Sequence, residues 1–379
     1  MRTLSTRCIE KARDPRAAGI TMTVAAVAAL VWANVGGNAY RDLWQHHLSV
    51  AGLHFTLQDW INQALMVPFF LIVGLELRRE LADGVLQSSR HATVPVGAAL
   101  AGMAVPAAIY AAVLHGRAGA HGWGVPMATD VAFAVGALAL VSASQSRQLR
   151  GFLLSLAVAD DLASIVVLVV WYSGGIDGVA LLVAGVAVAL VLALALGRQH
   201  RALIALPAVV AWWALARAGV EAAVVGVVIG LVAMAPGRGR ASRDWEHSLA
   251  PWINAFVLPA FALANVGVTF AGSHLLARDA VWVFVAVFAA RVAGKPVGIA
   301  LSARWLGRTP RSDDDPRPPT RALLGVGSVA AVGFTVPLLI VRAAFSEGSL
   351  AAAATCALLA GSVVGALGGR LLLSRAAER

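Results

Sequence analysis

Leu156-Ala-Val-Ala-Asp160-Asp161-Leu-Ala-Ser164-Ile-Val-Val167 sets two neighbouring carboxylates in the middle of an apolar run. The run extends over about 148–172, enough for one helix of roughly 20 residues to cross a bilayer. Comparable runs, bounded by Arg, Gly and Pro, recur near 17–35, 61–79, 92–115, 122–143, 176–196, 202–217, 219–235, 249–271, 278–303, 320–344 and 349–373. With the first they make twelve candidate spans. Of the 379 residues, 59% are hydrophobic and 13% charged, against roughly 45–50% and about 25% in a soluble domain. The sequence therefore predicts an all-α polytopic membrane protein, one integral membrane domain over 1–379, and excludes a soluble enzyme.

The charges set an orientation. The net charge of +10 comes from basic residues scattered in short clusters between apolar runs, not from one patch suited to nucleic acid. With a cytoplasmic N-terminus, 23 basic residues fall in cytoplasmic segments and 5 on the opposite side. That asymmetry is the positive-inside pattern, and it predicts cytoplasmic termini and an even number of spans. Residues 1–16 read as a basic cytoplasmic leader followed by an uncleaved first helix. Cys8 and Cys356 are the two cysteines, so no disulfide framework is expected. In the external loop 36–60, Leu48 to Leu57 alternates about Gly52 and predicts a small β-hairpin. The Pro-rich stretch 307–320 reads as a cytoplasmic linker whose Asp313, Asp314 and Asp315 are a solvated charge run.

Ionisable groups inside a bilayer cost several kcal/mol unless paired or hydrated, so each one in mid-span is a functional candidate. Asp130, Asp160, Asp161, Glu221, Arg291 and Lys295 qualify. Adjacent helical residues point about 100° apart, so Asp160 and Asp161 address different partners. Two buried like charges this close repel, which favours a proton on at least one of them, and a cation can take that proton's place. Carboxylate oxygens suit hard alkali or alkaline-earth cations, and no His or Cys cluster stands beside the pair to suggest a transition metal. Lysine use narrows the choice further. The chain has Lys11 and Lys295 among 30 basic residues. A buried ammonium can lose its proton where a guanidinium holds it, so Lys295 reads as the counter-ion of Asp160 or Asp161. Arg291, one turn away, either faces the same cavity or snorkels toward the cytoplasm.

Two spans carry breaks. The fourth reads Gly-Trp-Gly-Val-Pro126-Met-Ala-Thr129-Asp130-Val-Ala-Phe-Ala-Val-Gly136, and the eleventh has Gly325-Val-Gly327 followed by Gly333-Phe-Thr335-Val-Pro337. Unwound backbone at membrane depth is tolerated beside a cavity or other protein. Each break lies in the middle helix of a triplet, spans 3–5 and 10–12, and six helices separate them. The triplets then enter the membrane from opposite sides, as an inverted repeat.

These residues resemble the bacterial NhaA-type sodium/proton antiporters over nearly the whole chain. The resemblance rests on Val-Gly-Leu-Glu-Leu-Arg-Arg-Glu-Leu (73–81), Ala-Thr-Asp-Val-Ala-Phe (128–133), Leu-Ala-Val-Ala-Asp-Asp-Leu (156–162), Leu-Pro-Ala-Phe-Ala-Leu-Ala-Asn-Val-Gly (258–267), Gly-Lys-Pro-Val-Gly-Ile (294–299) and Gly-Phe-Thr (333–335). It implies alternating access about the aspartate pair, with Asp161 the principal Na+ ligand and Asp160 exchanging between cation, proton and Lys295. It also implies that discontinuous helices 4 and 11 cross at the midplane, with Asp130 and Thr129 at the crossing. There Asp130 and Lys295 would offset the positive N-termini and negative C-termini of the half-helices. Residues matching the family's pH-responsive funnel are Glu76, Arg79, Glu80, Glu246 and His247. A homodimer through the hairpin and a location in a bacterial inner membrane follow from the same likeness. The chain departs from the family pattern at Glu221 and Ala250, where histidines are usual, and at Val336-Pro337, where Met-Ser is usual. Glu221 is thereby a further candidate for the pH response.

The expected function is secondary transport and not enzymatic catalysis: cytoplasmic Na+, with Li+ tolerated, leaves in exchange for entering protons. Partners are these ions, lipid and a second copy of the chain, with no nucleic acid and no cofactor. A channel would need a repeated filter of carbonyls or acidic rings, and none is visible. A sensor or assembly protein would need a soluble domain. A solute symporter shares the architecture, but the Asp pair with Lys295 favours a bare cation.

Overall fold

The computed structural model describes residues 15–84, 87, 89–130, 147–174, 177–196, 201–233, 248–270, 275–307, 319–345 and 348–377. Most of the basic leader, the fourth span beyond Asp130, the aspartate run of the linker, and Glu246 and His247 lie outside them. The elements in order are α1 (Pro15–Val35), α2 (Ala39–Trp44), β1 (His47–Val50), β2 (Leu53–Thr56), α3 (Leu57–Ala82), α4 (Ser89–Val113), α5 (Arg147–Trp171), α6 (Gly178–Leu196) and α7 (Arg201–Arg217). They continue with α8 (Val225–Ala233), α9 (Ser248–Asn265), α10 (Arg278–Leu306), α11 (Thr320–Ala330), α12 (Thr335–Ala344) and α13 (Ser349–Ala377).

Among the described residues, 7 helices are long and apolar enough to cross a membrane, or 8 if α11 and α12, bent by 57° at a short break, count as one span. Shorter apolar helices stand at Gly19–Val35, Leu203–Arg217 and Ala222–Val232, where the first, seventh and eighth spans are expected. The protein is a multi-pass membrane protein. Its hydropathy runs locate these helices to within a few residues.

Among the described residues, three helices contain a π turn: Ile61–Leu65 in α3, Ile253–Val257 in α9 and Ala290–Gly294 in α10. A proline follows each within three residues, at Pro68, Pro259 and Pro296. Proline has no N–H to give the carbonyl four residues back and its ring crowds that carbonyl. Those carbonyls belong to Ala64, Ala255 and Val292, each inside a π turn, where the widened helix absorbs the mismatch.

The chain forms two compact units, Met1–Arg79 with Leu168–Gly267, and Glu80–Val167 with Val268–Arg379. In the first, α6, α7 and α8 share a core of Ala187, Val191, Ala208, Ala211 and Val225. Small residues let α3 and α8 touch backbone to backbone. A Cβ at Gly230 would lie 2.7 Å from the Leu75 nitrogen and 2.8 Å from the Gly74 carbonyl carbon. Gly230→Val is therefore expected to destabilise the protein by about 1–3 kcal/mol, in the range of overpacked cores. Thermal unfolding in detergent reads this out; an unchanged melting temperature would show that α3 and α8 part freely.

The hairpin pairs His47 with Thr56 through Val50 with Leu53. Its turn residues Ala51 (φ 51°) and Gly52 (φ 77°) are both left-handed, the conformation that matches strand twist in two-residue hairpins. The turn is tied down by the Trp213 indole N–H, which donates to the Ala51 carbonyl at 2.9 Å. Deeper in this unit Asn62 and Asn265 exchange side-chain amide bonds of 3.1 and 2.8 Å.

The second unit gathers the described parts of spans 3–5 and 10–12. Its apolar core takes Ala98 and Ala99 from α4, Leu149, Leu153 and Leu156 from α5, Ile299 and Ala300 from α10, and Leu323, Val326 and Val329 from α11. Glycines again permit close approach: a Cβ at Gly298 would sit 2.6 Å from the Ala101 carbonyl oxygen of α4, and one at Gly327 2.6 Å from the Pro296 Cα. This packing fixes α10 and α11 beside α5, and the carboxylates of α5 meet them there.

Candidate functional site: buried charges at two chain breaks

The second unit contains the aspartate pair. On α5, Asp160 and Asp161 are 1% and 2% exposed. The flanking Leu156, Ala157, Val158 and Ile165 are buried too, so apolar packing on α5 holds both carboxylates in the interior. Asp160 Oδ2 accepts from the Lys295 ammonium at 2.9 Å and from the Thr129 backbone N–H at 2.7 Å. Its other oxygen, Oδ1, is buried with no hydrogen-bond partner. A buried acceptor left unmade is costly, and one in a native fold asks for a further ligand.

Thr129 lies where the sequence leads one to expect the first break. After a 3-10 turn at Ala120–Gly124 and a turn over 125–127, residues 128–130 have no regular structure. The Thr129 hydroxyl donates to the Ala330 carbonyl at 2.9 Å, and the Asp130 N–H to the Val332 carbonyl at 3.2 Å. Ala330 is the last residue of α11, and Val332 lies in the second break, before α12 begins. The two interrupted stretches therefore bond directly to each other.

The charges fit the dipoles at these ends. The Thr335 N–H and hydroxyl, opening α12, donate to Asp130 Oδ2 at 3.2 and 3.1 Å, so Asp130 caps the positive end of that half-helix. Cations serve the carbonyl ends. The Arg291 guanidinium donates to Ala331 O through Nε (3.1 Å) and Nη2 (2.8 Å), and to Ala128 O through Nη1 (3.0 Å). Lys295 adds a bond to the Met127 carbonyl. Arg291 and Lys295 are both 0% exposed.

The sequence left Arg291 between two orientations; it faces inward and joins both breaks. Its signal was present, since a guanidinium in mid-span needs buried acceptors. Thr335 was visible within Gly-Phe-Thr but had no role there. The second break is also narrower than the sequence suggested. Gly325 and Gly327 lie inside the regular helix α11, packed against Leu373 and Pro296, and the chain opens at 331–334. Pro337 falls in the first turn of α12, where a missing N–H breaks no helical bond.

The remaining candidates are spread out. Glu80 accepts from the buried Ser155 hydroxyl at 2.5 Å, within the second unit. Half-buried Glu76 and exposed Arg79 belong to the first unit, on α3. Glu221, also in the first unit, precedes the 3-10 turn Ala222–Val224. There the Ala222 N–H donates to Gln63 Oε1 at 2.6 Å.

Comparison with known proteins decides the family. The model of the family described as Na+/H+ antiporter 1 matches residues 10–373. The chain belongs to the NhaA Na+/H+ antiporter family. It is similar to the Na(+)/H(+) antiporter NhaA of Acidovorax sp. (strain JS42), 42% identical over 93% of this chain and 88% of that one. It is similar also to the NhaA of Cronobacter sakazakii, 37% identical over 95% of each chain, and to NhaA 2 of Pseudomonas putida KT2440, 36% identical over 92% and 89%. The protein is thus a transporter of an antiporter family and not an enzyme, and Na+ and H+ are the ions its NhaA membership implies.

Proposed function

We propose that this protein exports cytoplasmic Na+, and also Li+, in exchange for external protons, by alternating access about Asp160 and Asp161. The observation that carries the reading is Asp160: one oxygen is held by Lys295 and Thr129, while the other is buried without a partner beside a second carboxylate. Cation and protons compete for these oxygens. A cation entering the pair displaces a proton from Asp161 and draws Asp160 away from Lys295. If Lys295 or Asp160 releases a second proton, each cycle moves net charge and responds to membrane potential. Asp130 and Arg291 keep the ends of the broken stretches neutralised while Asp160 changes partner, which lets the site reload without unpaired charge at the crossing.

Around this site we infer twelve spans, with 3–5 and 10–12 related as inverted repeats, and both termini in the cytoplasm of a bacterial inner membrane. The four residues of β1 are exposed; such an edge can pair with a second copy, giving a homodimer through the hairpins. Glu76, Arg79, Glu80, Glu221, Glu246 and His247 are proposed to set the pH response. In the cell the activity serves sodium and pH homeostasis.

Everted membrane vesicles loaded with a pH-sensitive dye test the exchange. Addition of NaCl or LiCl is expected to dequench the dye, over a pH series, and collapse of the membrane potential is expected to slow the response. A protein that gives no response to either salt at any pH would contradict the reading.

A further inference from the structure

The function proposed above leaves the cation two carboxylates, whereas hard cations gather several oxygens. Among the described residues no three His, Cys, Asp or Glu side chains form a metal-binding group. Among the described residues, neutral oxygens are then the ligands left to complete the shell.

Ser164 is 0% exposed and its hydroxyl has no hydrogen-bond partner. A helical serine with no other partner commonly donates to the carbonyl four residues back. Half-buried Ser328 in α11 does so to Leu324 at 2.9 Å, and half-buried Ser173, just past the end of α5, to Val169 at 2.6 Å. Ser164 leaves this bond unmade. Its position on α5 is the second point. At about 100° per residue, Ser164 lies roughly 40° round the helix from Asp160 and about 60° short of Asp161, between the two and one turn on. Helical side chains lean toward the N-terminus, so that of Ser164 leans back over the turn carrying both carboxylates. Asp160 Oδ1, likewise buried and without a hydrogen-bond partner, belongs to that turn.

We infer that the Ser164 hydroxyl is a cation ligand, a third oxygen that α5 supplies to the site of Asp160 and Asp161. This rests on the exchange reading above and adds a determinant of ion preference to it. The hydroxyl oxygen gives a lone pair to the cation and keeps its proton, so it adds a ligand without changing the proton count. Li+, being smaller, is satisfied by fewer oxygens than Na+. Loss of this ligand should therefore weaken Na+ binding more than Li+ binding.

The test is equilibrium binding of radioactive Na+ to the purified full-length protein in detergent, with Li+ as competitor, for wild type, Ser164→Ala and Ser164→Cys. Cysteine keeps the side chain's size but offers a soft sulfur, so it separates ligation from packing. Both variants are expected to bind Na+ about tenfold more weakly, equivalent to about 1.4 kcal/mol, with a smaller change for Li+. Thermal unfolding checks that each is folded; if alanine fails to fold, cysteine carries the test. Equal Na+ affinity in wild type and variants, or equal losses for Na+ and Li+, would overturn the assignment of Ser164 alone. Absence of Na+ binding to the wild type would overturn the exchange reading and this one with it.

Discussion

Asp161→Asn is expected to abolish Na+-dependent proton movement while leaving the protein folded. Asparagine keeps the shape of the side chain but neither takes up a proton nor offers an anion to the cation, so competition at this position ends. Many of the bonds that hold the site together run through other side chains. Lys295 and Thr129 engage Asp160, Thr335 engages Asp130, and Arg291 engages the carbonyls of Ala128 and Ala331. Truncating one side of a buried charged contact typically costs 2–5 kcal/mol or more. Applied to the loaded state, a loss of about 3 kcal/mol is a drop of more than about 100-fold in affinity. Dye dequenching in everted vesicles, with the melting temperature as control, measures both halves. Coupled exchange persisting in a folded Asp161→Asn protein would contradict the assignment.

Arg291→Met is expected to have the largest effect on stability. Methionine fills much of the same volume, so the loss is mainly the three donated bonds. Without them the carbonyls of Ala128 and Ala331 are left buried at the two breaks. Each unsatisfied acceptor costs about 1–3 kcal/mol, so the pair costs about 2–6 kcal/mol. Arg291→Lys keeps the charge but not the fork that reaches both carbonyls at once, and should fall between. Melting curves of the three proteins in detergent are the check. Wild-type stability in Arg291→Met would mean that the breaks close on other donors.

Much of this arrangement was legible in the sequence for one physical reason: a bilayer tolerates few charges, so each mid-span charge reports a site. Asp130, Asp160 and Lys295 were read that way, and the structure brings all three into one buried network. The described helices lie close to the apolar runs of the sequence; most of the run 122–143 lies outside the described residues. What escaped depended on local geometry that hydropathy does not encode. The π turn at Ala290–Gly294 lies directly before Lys295 and contains Arg291, and a simple 3.6-residue period leaves open whether Arg291 joins Lys295 or snorkels. Pro296 is the residue from which the distortion could have been foreseen. In the eleventh span the four glycine and proline signals looked like one interruption, because glycine serves both breaks and close packing. Gly325 and Gly327 belong to packing; Gly333 belongs to the break, where its N–H donates to the Ser362 hydroxyl at 3.2 Å. Ser164 was hidden by its ordinariness, since a serine in an apolar helix usually satisfies itself on its own backbone.

Competition between cation and proton at one carboxylate pair is the central claim, and purified protein in lightly buffered detergent solution tests it directly. Adding NaCl to the wild type is expected to acidify the solution, with at least one proton released for each Na+ bound and no release from Asp161→Asn. Saturable Na+ binding without proton release, at every pH tried, would contradict competition as the basis of exchange.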